Sequence, residues 1–253
     1  MGMLYLLVAL IATIIGGMTG IGGGVIIKPV LDAFSTYDVS SINILSSVTI
    51  FSMAAVSFTQ NSINGFKLSK NLVFLAVGSI IGGLLGKELL FFVTATMISR
   101  NIVIMQSGIL ALLLVVVLFK SRIRSHYVKN VFVIILVGIF LGTTSSFLGV
   151  GGGPINVFVL HLFLEMDTKQ LTVSSIFVIL LSQFSKLSAI TFTSGFSSFH
   201  LEMLVYMIPG GIAGGLLGTF LLKKTHVNHI KKVFNLVVGI IILLNIFNII
   251  RAI

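Results

Sequence analysis

The chain has 253 residues, of which 57% are apolar and only 9% are charged, and its mean hydropathy is +1.18. A water-soluble domain needs about a quarter of its residues charged, so this composition excludes one. The net charge of +10 does not indicate nucleic-acid binding, because the lysines and arginines lie in short breaks between apolar runs, as in cytoplasmic loops of membrane proteins. The absence of cysteine excludes disulfides and thiolate metal sites. We therefore predict an all-α polytopic membrane protein that holds no metal and no other cofactor.

The apolar runs predict the membrane elements in chain order. The first region, 3–34, and a later one, 131–164, are apolar but interrupted by glycines. Six plain runs are long enough to cross a hydrocarbon core about 30 Å thick. They lie at about 41–58, 72–92, 101–119, 171–192, 203–222 and 234–250. Each interrupted region is thus followed by three predicted transmembrane helices.

The glycine runs of the two interrupted regions match each other. Gly20-Ile-Gly-Gly-Gly24 corresponds to Gly149-Val-Gly-Gly-Gly153 at an offset of 129 residues. The match continues colinearly through Asp38 and Asp167, and the stretches 78–86 and 210–218 share seven of nine positions. Glycines recurring every four residues in those stretches predict close helix packing. We predict two repeats, 1–120 and 131–253, joined by a basic cytoplasmic linker at 121–130.

The distribution of basic residues favours an inverted arrangement of the two repeats. If each interrupted region enters and leaves on its own side, or crosses twice, eleven loop lysines and arginines lie on one side and three on the other. Single crossings would divide them evenly, against the positive-inside rule. The inverted arrangement places both termini outside, and it leaves open whether the broken elements re-enter or cross twice.

A glycine break inside a membrane helix frees backbone N–H groups, and the half-helix that follows points its positive dipole end at the break. Two such ends in an inverted repeat converge near the midplane and form a site for a small anion. The alternative is that the glycines only allow close helix packing. Small polar side chains early in the next helix, Thr172 among them, either bind oxygens of the substrate or bond neighbouring helices. The predicted substrate-binding residues are Gly20, Gly22, Gly23, Gly24, Lys28, Asn43, Ser46, Ser47, Gly149, Gly151, Gly152, Gly153, Pro154, Asn156, Ser174 and Ser175.

The motifs Gly20-Ile-Gly-Gly-Gly-Val-Ile-Ile-Lys-Pro-Val-Leu31 and Gly149-Val-Gly-Gly-Gly-Pro-Ile155, in a duplicated chain of this length, resemble the TauE/SafE family of sulfite and organosulfonate exporters, also called the toluene sulfonate uptake permease family. The resemblance covers nearly the whole chain. It implies a multi-pass carrier of the bacterial inner membrane for small sulfur-containing anions or organic acids. Two positions near the expected site depart from the family pattern. Lys28 stands where many members have an aliphatic residue, and Phe158 stands where a proline is often found.

Three titratable side chains inside apolar runs have two interpretations each. Lys28 either reaches an anion at the break or extends to the interface near Asp32. Lys186 lies six residues from the end of its run, so we expect it to extend to the interface, with a coupling role as the alternative. His161 either couples proton movement or bonds a neighbouring helix.

A secondary transporter working by alternating access is the function that these features predict. An intramembrane enzyme is disfavoured because the carboxylates lie at segment ends and no His-x-x-x-His spacing occurs inside a run. An anion channel stays open as an alternative, since re-entrant half-helices also build pores. The expected partners are a small anion, membrane lipids and, as an open possibility, a second copy in a homodimer, with no nucleic acid.

Overall fold

The computed structural model describes residues 2–119, 128–164 and 166–253, which form ten α-helices. The helices are α1 (Gly2–Thr19), α2 (Gly24–Phe34), α3 (Val39–Ile63), α4 (Lys70–Thr96), α5 (Ser99–Leu118), α6 (Val131–Leu148), α7 (Gly153–Leu164), α8 (Thr168–Thr193), α9 (Leu204–Lys224) and α10 (Val227–Ala252). In the described part of the chain, eight of them are long and apolar enough to cross a membrane, and α2 and α7 are shorter. The prediction of an all-helical, multi-pass membrane protein is confirmed. Most of the predicted linker, 121–127, lies outside the described residues.

Helices α3 and α8 begin before their apolar runs, at residues that follow a capping aspartate. The Asp38 side chain accepts a hydrogen bond from Ser41 N at 3.0 Å and starts α3. Asp167 forms a capping box with Gln170 at the start of α8. Such caps satisfy backbone donors that have no partner within the helix. The largest difference from the prediction is α10, which begins at Val227, seven residues before the apolar run.

Two glycine stripes bring helices of the two halves into close contact. They are Gly78, Gly82 and Gly86 on α4 and Gly210, Gly214 and Gly218 on α9. A Cβ added at Gly218 would lie 2.5 Å from the carbonyl oxygen of Ile14 on α1, and one added at Gly82 would overlap the carbonyl of Ile139 on α6. The predicted close packing of these stripes is confirmed. As a result α4 packs against α6 and α9 against α1, so each pairing joins the first half to the second.

The helix ends gather at two opposite faces. At one face, the Lys169 ammonium donates to the Lys223 carbonyl at 3.0 Å and Val128 N donates to the Phe163 carbonyl at 3.2 Å. We call it the lysine-rich face, and its basic residues are Lys67, Lys70, Lys129, Lys169, Lys223, Lys224, Lys231 and Lys232. At the opposite face, Tyr37 stacks on His200 with ring centroids 6.1 Å apart, and Arg100 donates to the Ile253 carbonyl.

Large apolar side chains cover the outside of the bundle. Leu112 on α5 is 68% exposed and Leu236 on α10 is 66% exposed. In a chain of this hydropathy such exposed side chains face lipid rather than water. The polar side chains, in contrast, are concentrated where the helices meet in the interior.

Candidate functional site

Both glycine runs lie between helices, and their backbone takes left-handed conformations. Within the two runs, the glycines with φ between +65° and +76° are Gly20, Gly22, Gly149, Gly151 and Gly152. Glycine adopts this conformation without the steric cost that a Cβ would bring. The residues after α1 lie back against it, since a Cβ added at Gly16 would overlap the Gly23 backbone, and in the second run a Cβ added at Gly152 would lie 3.1 Å from the Ser145 Cβ of α6.

Polar residues at matched positions of α3 and α8 lie against the two runs. A Cβ added at Gly20 would be 2.8 Å from the Cα of Thr172, and one added at Gly149 would overlap the Asn43 side chain. Ser175 Oγ donates to the Gly20 carbonyl at 2.7 Å. The structure thus brings these predicted site residues to the breaks. Ser174, by contrast, points to Met166 Sδ at 3.2 Å.

The two runs cross each other in the interior. A Cβ added at Gly153 would overlap the Ile21 carbonyl, and one added at Gly24 would be 2.8 Å from the Val150 carbonyl oxygen. Only glycine fits at either position. The first turns of α2 and α7 consequently meet inside the bundle, and Pro154 lies in the first turn of α7, where its missing N–H costs nothing.

Lys186 lies fully buried on α8, and the prediction that it extends to the interface is wrong. Its ammonium donates to Asn43 Oδ1, to Ser47 Oγ at 2.8 Å and to the Ser146 carbonyl at 3.0 Å. Because Lys186 lies only six residues from the end of its apolar run, the ammonium was expected to reach the membrane interface. The side chain points toward α3 and α6 instead. All of these acceptors are neutral, and among the described residues no carboxylate forms an ion pair with Lys186.

The acceptor at Ser146 belongs to the last turn of α6, whose carbonyls lose their helical partners at the glycine run. The next carbonyl, that of Phe147, accepts from Gln106 Nε2 at 2.8 Å and from Asn43 Nδ2 at 3.3 Å. Donors from α3, α5 and α8 therefore converge on the C-terminal end of α6. This negative end of the helix dipole favours a cation such as the Lys186 ammonium.

Several buried polar atoms around this cluster have no hydrogen-bond partner in the described part of the chain. Both amide atoms of Asn156, on the first turn of α7, are fully buried and unpaired. The Ser46 and Ser146 hydroxyl oxygens are also unpaired. Because a buried polar group without a partner costs about 1–3 kcal/mol, such atoms indicate a ligand or water that completes them.

Lys28 forms an ion pair with Asp32 one helical turn away, at 2.6 Å. Both side chains are only 3% exposed, so the lysine does not extend to solvent. Its charge is neutralised in this conformation, and Asp32 Oδ1 has no hydrogen-bond partner among the described residues. The Phe158 side chain, on α7, is partly buried among the apolar core residues.

His161 lines a cavity of about 660 Å³ at the lysine-rich face, between α7, α8 and α10. The cavity reaches Thr19 at the end of α1 and Thr172 beside the first glycine run. It leads from the basic surface toward the crossing of the two runs.

Sequence reasoning missed the buried amides of the site. Gln106 caps the end of α6, and Gln183 Nε2 donates to Ser145 Oγ at 2.9 Å while its Oε1 has no partner within the described residues. Both glutamines lie in the middle of predicted apolar runs. A polar side chain at such a depth is costly, and that was the signal that could have identified them.

The sequence comparisons give the chain a family. The family model described as sulfite exporter TauE/SafE matches residues 5–245. The chain belongs to the TauE/SafE family. Membership in TauE/SafE confirms the resemblance noted from the glycine motifs and makes the chain a membrane transporter of a family associated with sulfur anions. No curated protein and no solved structure matches it.

Proposed function

We propose that this TauE/SafE protein is a secondary transporter that moves a small sulfur oxyanion or organosulfonate across the bacterial inner membrane by alternating access. The anion binds beside Lys186, where the first turn of α7 and the last turn of α6 meet α3 and α8. The observation that carries the proposal is the fully buried Lys186 ammonium, whose acceptors among the described residues are all neutral.

The energetics favour a ligand over a purely structural role for Lys186. A charge at the end of a helix dipole gains at most about 2 kcal/mol. Burial of an ion without a counter-ion costs several kcal/mol, even after relaxation. The dipole of α6 alone therefore does not repay the burial of Lys186, and the hydrogen bonds to its neutral acceptors bring no countercharge, which a bound anion would supply.

The surrounding donors suit an anion with several oxygens. The Ser47 hydroxyl is already in contact with the ammonium, and the unpaired Ser46 hydroxyl and Asn156 amide lie on the neighbouring elements. Hydroxyl and amide N–H groups donate to sulfonate or sulfite oxygens, and the N-terminal end of α7 adds a favourable dipole. These residues, with the glycines that open the backbone, are the proposed substrate ligands.

Contacts at the helix ends support the inverted arrangement of repeats that many alternating-access transporters use. Gly2 of α1 lies against Tyr206, at the start of α9, and α2 ends near Tyr37, so this broken element starts and ends at the opposite face. The Val128 to Phe163 hydrogen bond holds the start of α6 near the end of α7 at the lysine-rich face. We propose that the two repeats rock against each other about the crossed glycine runs.

Substitution of Lys186 tests the proposal. Lys186→Met keeps most of the side-chain volume and removes the charge, and we expect it to weaken sulfite binding by about tenfold or more, ~1.4 kcal/mol. Lys87→Met is the matched control, since Lys87 is also buried within a membrane helix but is paired with Glu88 at 2.7 Å. Sulfite-dependent thermal stabilisation of the purified protein and sulfite flux into proteoliposomes are the measurements. Unchanged sulfite binding in Lys186→Met would overturn the proposed site.

A ligand panel tests the substrate class on the same preparation. We expect stabilisation by sulfite, thiosulfate, sulfoacetate or taurine, because a ligand that binds only the folded protein raises its apparent stability. Stabilisation by carboxylates alone would make the protein a carrier of organic acids. Saturable flux distinguishes a carrier from an anion channel, which would give single-channel currents.

A further inference from the structure

The cavities at the two faces occupy matched places in the two halves but differ in size. At the lysine-rich face, the cavity of about 660 Å³ runs without interruption from Lys231 at its rim past His161 to Thr19. At the opposite face the corresponding space is divided. An outer basin of about 390 Å³ is lined on α5 by Arg100 and Val103. An inner cavity of about 10 Å³ is lined on the same helix, α5, by Gln106, Ser107 and Leu110.

Asp32 is the residue common to both parts of the divided space. It lines the outer basin together with Val103 and the inner cavity together with Ser107, which lies one turn further along α5. The Lys28 ammonium closes on Asp32 from the inner side at 2.6 Å. The ion pair therefore forms part of the wall between the two compartments, together with the Asn248 amide, which donates to the Pro29 carbonyl at 3.0 Å. An inner cavity of this size holds a single water and no larger anion.

The matched residues of the second half explain why the other cavity is open. Lys28 corresponds to Val157 and Asp32 corresponds to His161, both at the repeat offset of 129 residues. Val157 carries no charge and forms no ion pair. Both residues line the large cavity at the lysine-rich face, and no ion pair between described residues divides that space.

We propose that the Lys28–Asp32 ion pair is a gate, closed in this conformation, between the anion site and the face opposite the lysine-rich one. The open cavity at the lysine-rich face is then the entrance in use. The inference rests on the proposed function for the identity of the anion that passes the gate. The barrier itself is argued only from the residues that line the two compartments. Opening requires Asp32 to leave Lys28, which frees a cation toward the inner cavity. Arg100 and Arg251, both in the outer basin, are the new partners for the displaced carboxylate.

Thiol labelling tests the gate, since the chain has no cysteine of its own. Ser107→Cys places a thiol in the inner cavity, and Val103→Cys places one in the outer basin as its matched control. A membrane-impermeant methanethiosulfonate is added at the face opposite the lysine-rich one. With Asp32 intact, we expect Val103→Cys to react and Ser107→Cys to be protected. In the Asp32→Ala background we expect Ser107→Cys to react about tenfold faster while Val103→Cys changes little.

A charge swap separates loss of the ion pair from looser packing. In the Lys28→Asp, Asp32→Lys double variant the pair is restored in reverse, and we expect Ser107→Cys to be protected again. Equal reactivity of Ser107→Cys with and without Asp32, or no protection in the charge swap, would overturn the gate. The unchanged reactivity of Val103→Cys reports that the outer basin keeps its accessibility, and the melting temperature reports that each variant is folded. Labelling requires no substrate, so sulfite binding measured on the same protein shows separately whether the proposed function fails.

Discussion

Lys186 on α8 donates a hydrogen bond to Ser47 on α3 at 2.8 Å, so a cation of the second half is held by a hydroxyl of the first. The position that matches Lys186 in the first half is Ser57, whose hydroxyl donates to the Gly215 carbonyl at 3.0 Å. The two halves therefore differ at this position, which carries a lysine in the second half and a serine in the first. We expect one anion per chain rather than two, measurable as the stoichiometry of sulfite binding by calorimetry. A stoichiometry of two would contradict the assignment of Lys186 as the countercharge.

An internal counter-ion beside Lys186 is expected to replace the substrate. Asn43→Asp places a carboxylate at the position where the Asn43 oxygen now accepts from the ammonium. We expect the variant to melt at a higher temperature without ligand and to lose sulfite-dependent stabilisation, because the charge is already compensated. Asn61→Asp, on the same helix but away from the cluster, is the control. Retained sulfite stabilisation in Asn43→Asp would show that the anion binds elsewhere.

Replacement of Asn156 separates a ligand from a structural residue. Both of its amide atoms are buried without a hydrogen-bond partner in the described part of the chain, so Asn156→Leu removes a desolvation cost of about 1–3 kcal/mol. We expect the melting temperature without ligand to rise or stay unchanged, while the affinity for sulfite falls. Thermal melting with and without sulfite measures both. A large drop in melting temperature without ligand would mean that the amide supports the fold.

Glycines at the crossing and glycines on the outer helices are expected to respond oppositely to alanine. Gly153→Ala puts a Cβ onto the Ile21 carbonyl and should prevent folding, because backbone on both sides leaves no room to shift. Gly108→Ala and Gly239→Ala meet no neighbour within 4 Å and should stabilise their helices by up to about 1 kcal/mol. Yield of folded protein and melting temperature are the measurements. A well-folded Gly153→Ala variant would contradict the crossing.

Single cysteines report the orientation of the two faces. We expect Thr36→Cys, at the face opposite the lysine-rich one, to react with an impermeant reagent from outside the cell. Asn64→Cys, beside Lys67, should react only after the membrane is opened, because lysine-rich loops stay in the cytoplasm. Both positions are exposed. The reverse pattern would exclude the predicted outside location of both termini.

The sequence predicted the helices and the glycine runs around which the site is proposed, but not the directions in which the buried charged side chains point. Apolar runs indicate which residues form a membrane helix, and glycine clusters indicate where the backbone turns. Both features depend on residues that are close in the sequence, so both could be predicted from it. The depth of Lys186 along its run was also readable. Its direction was not, because it depends on contacts between α8 and α3, and the partner Asn43 is 143 residues away in the chain. The partner of Lys28, in contrast, is one turn away on the same helix.

The glycine stripes of α4 and α9 have a consequence for synthesis. Each stripe packs against a helix from the other half. During synthesis, α4 therefore has no partner for this contact before α6 is made, and α1 has none before α9 is made. When only the first five helices have been inserted, the surfaces of α1 and α4 that form the two tight contacts have no partner helices. The surface on α4 meets its partner when α6 is inserted, whereas the surface on α1 stays unpaired until α9 is inserted. The finished molecule consequently forms as one cooperative unit, and not as two halves that mature in turn.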